Sequence, residues 1–215
     1  MRILFYGDSI TDMGRDRDTD NHDISLGIGM GMGYVHFVAG ELMYEAPGQY
    51  EFINRGVGGN RSIDLYARIK ADCWNYKPDV VSILVGINDI WPYPDEGNGV
   101  EYDRFEKIYR MMIEDTVAKL PDVKIILCEP FMLRDSAAEI DTIKWDCNPG
   151  VREYAKTVRK LAKEYGLAFV PLQDKLSALA EKNGAKYYLY DGIHPTPVGS
   201  KIIATEWLKT FKEIK

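Results

Sequence analysis

Three short stretches and one late histidine hold the side chains that could break an ester. Gly7-Asp8-Ser9-Ile10 follows an apolar run, Ile3-Leu4-Phe5-Tyr6, and offers a hydroxyl just past a strand. Glycine suits that turn because it accepts backbone angles a side chain forbids. A serine hydroxyl is a weak nucleophile until a base takes its proton, and the base needs a partner that orients it. The sequence has three histidines. His36 falls beside the apolar positions of a helical repeat and reads as structural; His22 stands in a charged loop and reads as solvated. His194 closes Tyr190-Asp191-Gly192-Ile193-His194, with Asp191 three residues ahead of it. One turn lets that carboxylate accept from one ring nitrogen, which fixes the tautomer and frees the other nitrogen for Ser9. Donors for an oxyanion then come from Ser9 N–H, from Gly59 N–H in Gly56-Val57-Gly58-Gly59-Asn60, and from the Asn88 amide in Gly86-Ile87-Asn88-Asp89. Alone, each stretch also reads as a plain turn or helix cap, because Gly, Asp, Asn and Ser favour those positions for local reasons.

The elements that must position these residues follow from periodicity. Residues 2–6, 50–54, 80–85, 123–128 and 167–170 read as short apolar strands, and 34–45, 62–74, 102–120, 149–165, 172–183 and 197–211 as helices. Ser62 is the expected cap of its helix. The stretches 7–33, 86–99 and 129–145 read as loops. Strands alternating with longer helices predict an α/β fold, a three-layer α/β/α sandwich around a parallel sheet of about five strands, in a single domain over 1–215. In such sheets ligands sit at the carboxyl ends of the strands, and all three glycine-bearing loops follow strands.

Composition bounds the rest. A net charge of −6 argues against a nucleic-acid binder, which needs a basic face. No window is long and apolar enough to span a membrane, and no secretory leader is legible, so a cytoplasmic protein is expected. Three widely spaced cysteines, Cys73, Cys128 and Cys147, make no metal or redox motif; Cys128 reads as a buried small hydrophobe. The run Gly27 to Gly33 has glycine at every second position, which is not a dinucleotide fingerprint. Asp16-x-Asp18-x-Asp20 starts like a calcium loop but lacks its glycine and its glutamate. Asn60-Arg61-Ser62 is a glycosylation sequon without a secretory context. The 14 tyrosines and 4 tryptophans suit a homo-oligomer and a free surface equally.

Taken together the four blocks resemble the SGNH hydrolases, the GDSL-type esterases, in order and approximate spacing over nearly the whole chain. Ile10 stands where the family's name has leucine. The resemblance implies a flavodoxin-like fold, Ser9 as nucleophile, His194 as base, Asp191 as its partner, an oxyanion hole of Ser9, Gly59 and Asn88, and no metal or organic cofactor. Asp12, Arg15, Gly33-Tyr34-Val35 and Ile90-Trp91 extend the likeness to the intracellular acetyl-xylan, or xylo-oligosaccharide, esterase branch. An acylated carbohydrate is then the expected small-molecule partner. A lysophospholipid, thioester or lipid ester is the alternative on the same machinery, and a non-catalytic carbohydrate-binding protein the alternative from another class. Asp8, Arg15, Tyr34, Arg61 and Trp91, with Trp145, are the further candidates for substrate contact. Asp8 is expected to steady the turn before Ser9, and Trp91 to shape a small acyl pocket or stack on a sugar ring.

Overall fold

The structure, a computed structural model, describes residues 1–18, 22–90, 97–133 and 148–214. Five parallel strands, β1 (Arg2–Gly7), β2 (Glu51–Gly56), β3 (Val80–Leu84), β4 (Lys124–Cys128) and β5 (Ala168–Val170), lie in the order β2-β1-β3-β4-β5. The near-continuous apolar runs of β1, β3, β4 and β5 are what a sheet covered on both faces requires. Among the described residues the helices are α1 (Ser9–Asp12), α2 (Tyr34–Glu45), α3 (Ser62–Asp72), α4 (Ile87–Ile90), α5 (Tyr102–Lys119), α6 (Asn148–Tyr165), α7 (Gln173–Asn183) and α8 (Pro197–Ile214).

The two buried faces can be read from neighbouring residues of β1. Phe5 packs its ring edge-on to Tyr34 of α2 and, at 5.2 Å between centroids, against Trp207 of α8. Tyr6 points the other way, donating its hydroxyl to Leu65 O of α3 at 2.6 Å, with the Arg68 guanidinium 4.5 Å over its ring. α8 packs on α2, while α3 packs on α5 and α5 on α6. The three layers are therefore α2 and α8, the sheet, and α3, α5 and α6. Trp207 also donates its indole N–H to Ser82 Oγ at 2.9 Å, which satisfies the one polar side chain of β3. No helix among the described residues is long and apolar enough to cross a membrane.

The strand order reverses beside β1: the chain moves outward to β2, then crosses back to β3. Ser9 follows β1 and Asn88 follows β3, so the two flank the crevice at which open sheets of this kind bind ligands. The expected elements all appear, with ends shifted by a few residues. Two short turns of helix, α1 and α4, fall inside stretches read as loops. Ser62 is not the cap of α3. Arg61 holds that position, and its N–H donates to Asp64 Oδ2 at 2.9 Å. Cys73 and Cys128 are buried free thiols, pushed up to about 12 by burial, as expected for Cys128; Cys147 lies outside the described residues.

Candidate active site

β1 ends at Gly7 and Asp8 caps the helix that follows, its Oδ1 accepting the Ile10 N–H at 2.9 Å. Ser9 is thereby held at the start of a single turn. Met13 N–H closes that turn on Ser9 O at 3.0 Å, with Met13 in the left-handed region at φ 38°. The neighbouring chain comes very close: a Cβ on Gly56 would stand 2.2 Å from Asp12 N. The glycine run also finds its place here. Met32 N–H donates to Met13 O at 2.9 Å, and a Cβ on Gly31, at φ +80°, would stand 2.5 Å from Asp12 O.

His194 arrives from the opposite end of the chain. Leu189 and Pro195 pair as an antiparallel bridge, and Tyr190 N–H donates to His194 O at 3.0 Å. Inside this closed loop Asp191 Oδ1 accepts from Ile193 N–H at 3.0 Å and His194 N–H at 2.7 Å. That leaves Oδ2 aimed at His194 Nδ1, 2.6 Å away, and His194 Nε2 stands 2.8 Å from Ser9 Oγ. Burial works against a charge on Asp191, but the hydrogen bonds from the His194 ring and the two backbone N–H groups outweigh it and hold the carboxyl down at about 2. With an ionised carboxylate on Nδ1, the hydrogen-bond network assigns the proton to that nitrogen and the lone pair to Nε2, facing the serine hydroxyl.

The other loops come alongside. Val57 N–H donates to Gly7 O at 3.0 Å and Gly58 N–H to Asp12 Oδ2 at 3.2 Å. A Cβ on Gly58 would be 3.9 Å from Ser9 Cβ, so this turn lies against the serine. Gly59 follows, exposed, with open space where a Cβ would stand. Asn88 Nδ2 donates to Asn60 O at 3.0 Å, which joins the third loop to the second and leaves one amide proton unspent. Ser9 and His194 open into a cavity of about 310 Å³ whose wall includes Asp12, Met13, Met32 and Tyr190. A hydroxyl, a base with a free lone pair and nearby N–H donors are the parts of an acyl-transfer site. Among the described residues no cluster of His, Cys, Asp or Glu could hold a metal ion.

The remaining candidates for substrate contact are placed differently from one another. Arg15 is only 7% exposed; its Nε donates to Gly56 O at 2.7 Å and its Nη1 to Asp16 O at 3.2 Å, so it braces the loop from below. Tyr34 is fully buried against Phe5 and Thr11. Asp8, 1% exposed, lies under the serine with Oδ2 lacking any hydrogen-bond partner among the described residues. Those three side chains belong to the floor of the site, not its wall, because backbone carbonyls, the ring of Phe5 and the α1 cap have claimed them. Arg61 is nearer the surface but engages Asp64 and, through Nη1, Asn98 O at 2.6 Å. Trp91 and Trp145 lie outside the described residues. His22 is paired with Asp16 at 2.8 Å, and His36 is exposed on α2.

Sequence reasoning missed the wall. Tyr190, half exposed, stacks on the His194 ring with centroids 5.7 Å apart, and Met32 is 72% exposed at the rim. An aromatic residue directly before Asp191 was the available signal for the first; nothing local marks the second. Asp12 was also missed as the acceptor that ties Gly58 to α1 and takes Arg17 Nη2 at 2.5 Å.

The model of the GDSL-like lipase/acylhydrolase family matches residues 5–202. An acetylxylan esterase of Geobacillus stearothermophilus is 33% identical over 215 residues, covering 97% of this chain and 92% of that one. Its crystal structure superposes with a TM-score of 0.83 at 32% identity, over 97% of this chain and 93% of the other. A GDSL-like protein of Parabacteroides merdae gives 0.88 at 39% identity, over 98% and 95%. An α/β hydrolase from the metagenome of Lake Arreo gives 0.85 at 26%, over 98% and 94%.

Proposed function

We propose, for a chain that belongs to the GDSL-like lipase/acylhydrolase family, that it is a serine esterase removing short acyl groups, acetyl above all, from carbohydrates such as xylo-oligosaccharides. The observation that carries the reaction is the unbroken chain from Ser9 Oγ through His194 to Asp191, at 2.8 and 2.6 Å. In this reading Ser9 Oγ attacks the ester carbonyl carbon as His194 Nε2 takes its proton. Asp191 holds the ring and stabilises the imidazolium. The carbonyl oxygen, now negative, is met by Ser9 N–H, Gly59 N–H and the Asn88 amide. As the tetrahedral intermediate collapses, His194 returns the proton to the departing sugar oxygen. Water, deprotonated by the same imidazole, then releases the acid from the acyl-enzyme.

The likeness to an acetylxylan esterase supports the substrate class. The apolar wall of Met13, Met32 and Tyr190 favours the second reading, an ester with a longer acyl chain or a lipid. Rates on acetyl and octanoyl chromogenic esters, followed by acetylated xylo-oligosaccharides against other acetylated sugars, separate the two. A preference for acetyl and for the xylo-oligosaccharides is expected, and a preference for octanoyl contradicts the carbohydrate reading. Ser9→Ala is expected to lower kcat by roughly 10⁴–10⁶-fold. Full activity in that variant would remove Ser9 from the chemistry.

A further inference from the structure

Asn88 and Gly59 stand on different loops, after β3 and after β2. Donors on separate loops meet one oxygen only if the loops are held in register. The Asn88 amide reaches across to Asn60 O at 3.0 Å. The next side chain, Asp89, makes a firmer crossing. It is 0% exposed, and its two oxygens lie 3.0 and 3.1 Å from Ser62 N–H. Ser62 Oγ–H donates to Oδ1 at 2.5 Å as well. The Asp89 backbone is pinned too, its carbonyl accepting Val100 N–H at 2.7 Å. Ser62 is the first residue of α3, where unpaired N–H groups and the positive end of the helix dipole favour a carboxylate.

We propose that Asp89 is the positioning residue for Asn88: by gripping the start of α3 it fixes the amide of its chain neighbour against Asn60 at the place where the oxyanion forms. The proposal rests on the reading of Asn88 as an oxyanion donor. Ser62 is two residues from Asn60, whose carbonyl orients the amide, so a shift at Ser62 moves both ends of the Asn88 contact. A displacement of about 1 Å at such a donor is enough to cost ~10²-fold in rate. A buried carboxylate is a costly tether, since burial pushes Asp89 up to about 7 against the pull of the Ser62 hydrogen bonds. An apolar contact would hold α3 in place but would not set the direction of a hydrogen-bonding side chain.

The test is a double-mutant cycle on a chromogenic acetyl ester, with Tm measured for every variant. Asp89→Ala is expected to lower kcat by about 10²-fold with KM within about threefold, since the donor acts mainly in the transition state. Asp89→Asn keeps one acceptor oxygen and is expected to recover at least about tenfold of that loss. Added to Asn88→Ala, the Asp89→Ala change is expected to slow the enzyme by no more than about threefold, because no amide remains to be aimed. Losses that multiply, or a wild-type kcat in Asp89→Ala, overturn the proposal. Where Asp89→Ala does not fold, Ser62→Ala takes its place in the same cycle. A kcat loss that vanishes in the Asn88→Ala background supports the proposal, and an additive loss or none overturns it. Full activity in Asn88→Ala alone would overturn the donor reading and this inference with it. A slow Asn88→Ala with an additive Asp89→Ala would overturn only the positioning role.

Discussion

At the scale of single residues, three aspartates of the candidate site carry opposite burdens. Asp191 is ionised down to about 2 because its hydrogen bonds from His194 and Ile193 exceed the penalty of burial. In the proposed reaction its task is to keep the imidazole in one tautomer and one orientation. Asp191→Asn should therefore preserve the fold while lowering kcat by roughly 10⁴-fold, and a kcat within about tenfold of wild type would show that the carboxylate is dispensable. Asp8 and Asp89 go the other way, each raised to about 7 chiefly by burial. A folded-state value above the unfolded one means that the folded chain binds the proton more tightly. Their contribution to stability is full below about pH 4 and is withdrawn as pH rises through about 7. That of Asp191 is present above the ordinary carboxyl value and is lost as pH falls toward 2. Asparagine caps a helix as well as aspartate does. Asp8→Asn is thus expected to flatten the decline of unfolding free energy between pH 4 and 7.5, read by urea titration at several pH values. An unchanged slope would mean that Asp8 does not titrate there.

At the scale of elements, the site depends on chain crossings that leave no room. α1 lies on the end of β2, with Gly56 beneath Asp12, and Arg68 of α3 gathers the same corner. Its Nη1 donates to Arg55 O at 3.0 Å, its Nη2 to Gly7 O at 3.2 Å and its Nε to Asn60 Oδ1 at 2.8 Å. Gly56→Ala would drive a methyl into backbone that cannot turn aside. A loss of about 1–3 kcal/mol is expected, seen as a lower Tm together with lower esterase activity, since the displaced segment carries Ser9. An unaltered Tm would contradict the packing described. This corner also shows why some of the site was illegible. α1 and α4 are four residues each, too short to display a helical period. The long helices and the strands have periods or apolar runs, and reading those alone locates them to within a few residues. Arg15 has no local mark that distinguishes a guanidinium spent on backbone carbonyls from one offered to a substrate. Ser62 looks like a cap by its type and place, yet its hydroxyl turns to a carboxylate 27 positions along the chain.

At the scale of the whole molecule, the topology gathers residues far apart in the chain. Because β1 and β3 are neighbours while β2 lies on the outer side of β1, the loops after all three strands share one edge. The loop between α7 and α8 then brings His194 over that edge, 185 positions from the serine it meets. The candidate nucleophile, donors and base stand out in sequence as four blocks because each has its own side-chain type and glycine context, and the structure brings Ser9, His194 and Asp191 into contact. Their convergence follows from the parallel sheet that the strand and helix alternation predicts. The wall of the cavity was not legible, because Met32 and Tyr190 come to one cavity from two loops that sequence does not relate. The central claim is that the Ser9 hydroxyl is the nucleophile made reactive by this convergence. Its most direct test is incubation of the intact protein with a serine-reactive phosphonate, followed by mass mapping of the modified peptide. A single adduct on Ser9, formed in step with loss of esterase activity and absent in His194→Ala, is the predicted result. Inactivation with the adduct on another residue, or hydrolysis that continues with Ser9 fully modified, would contradict it.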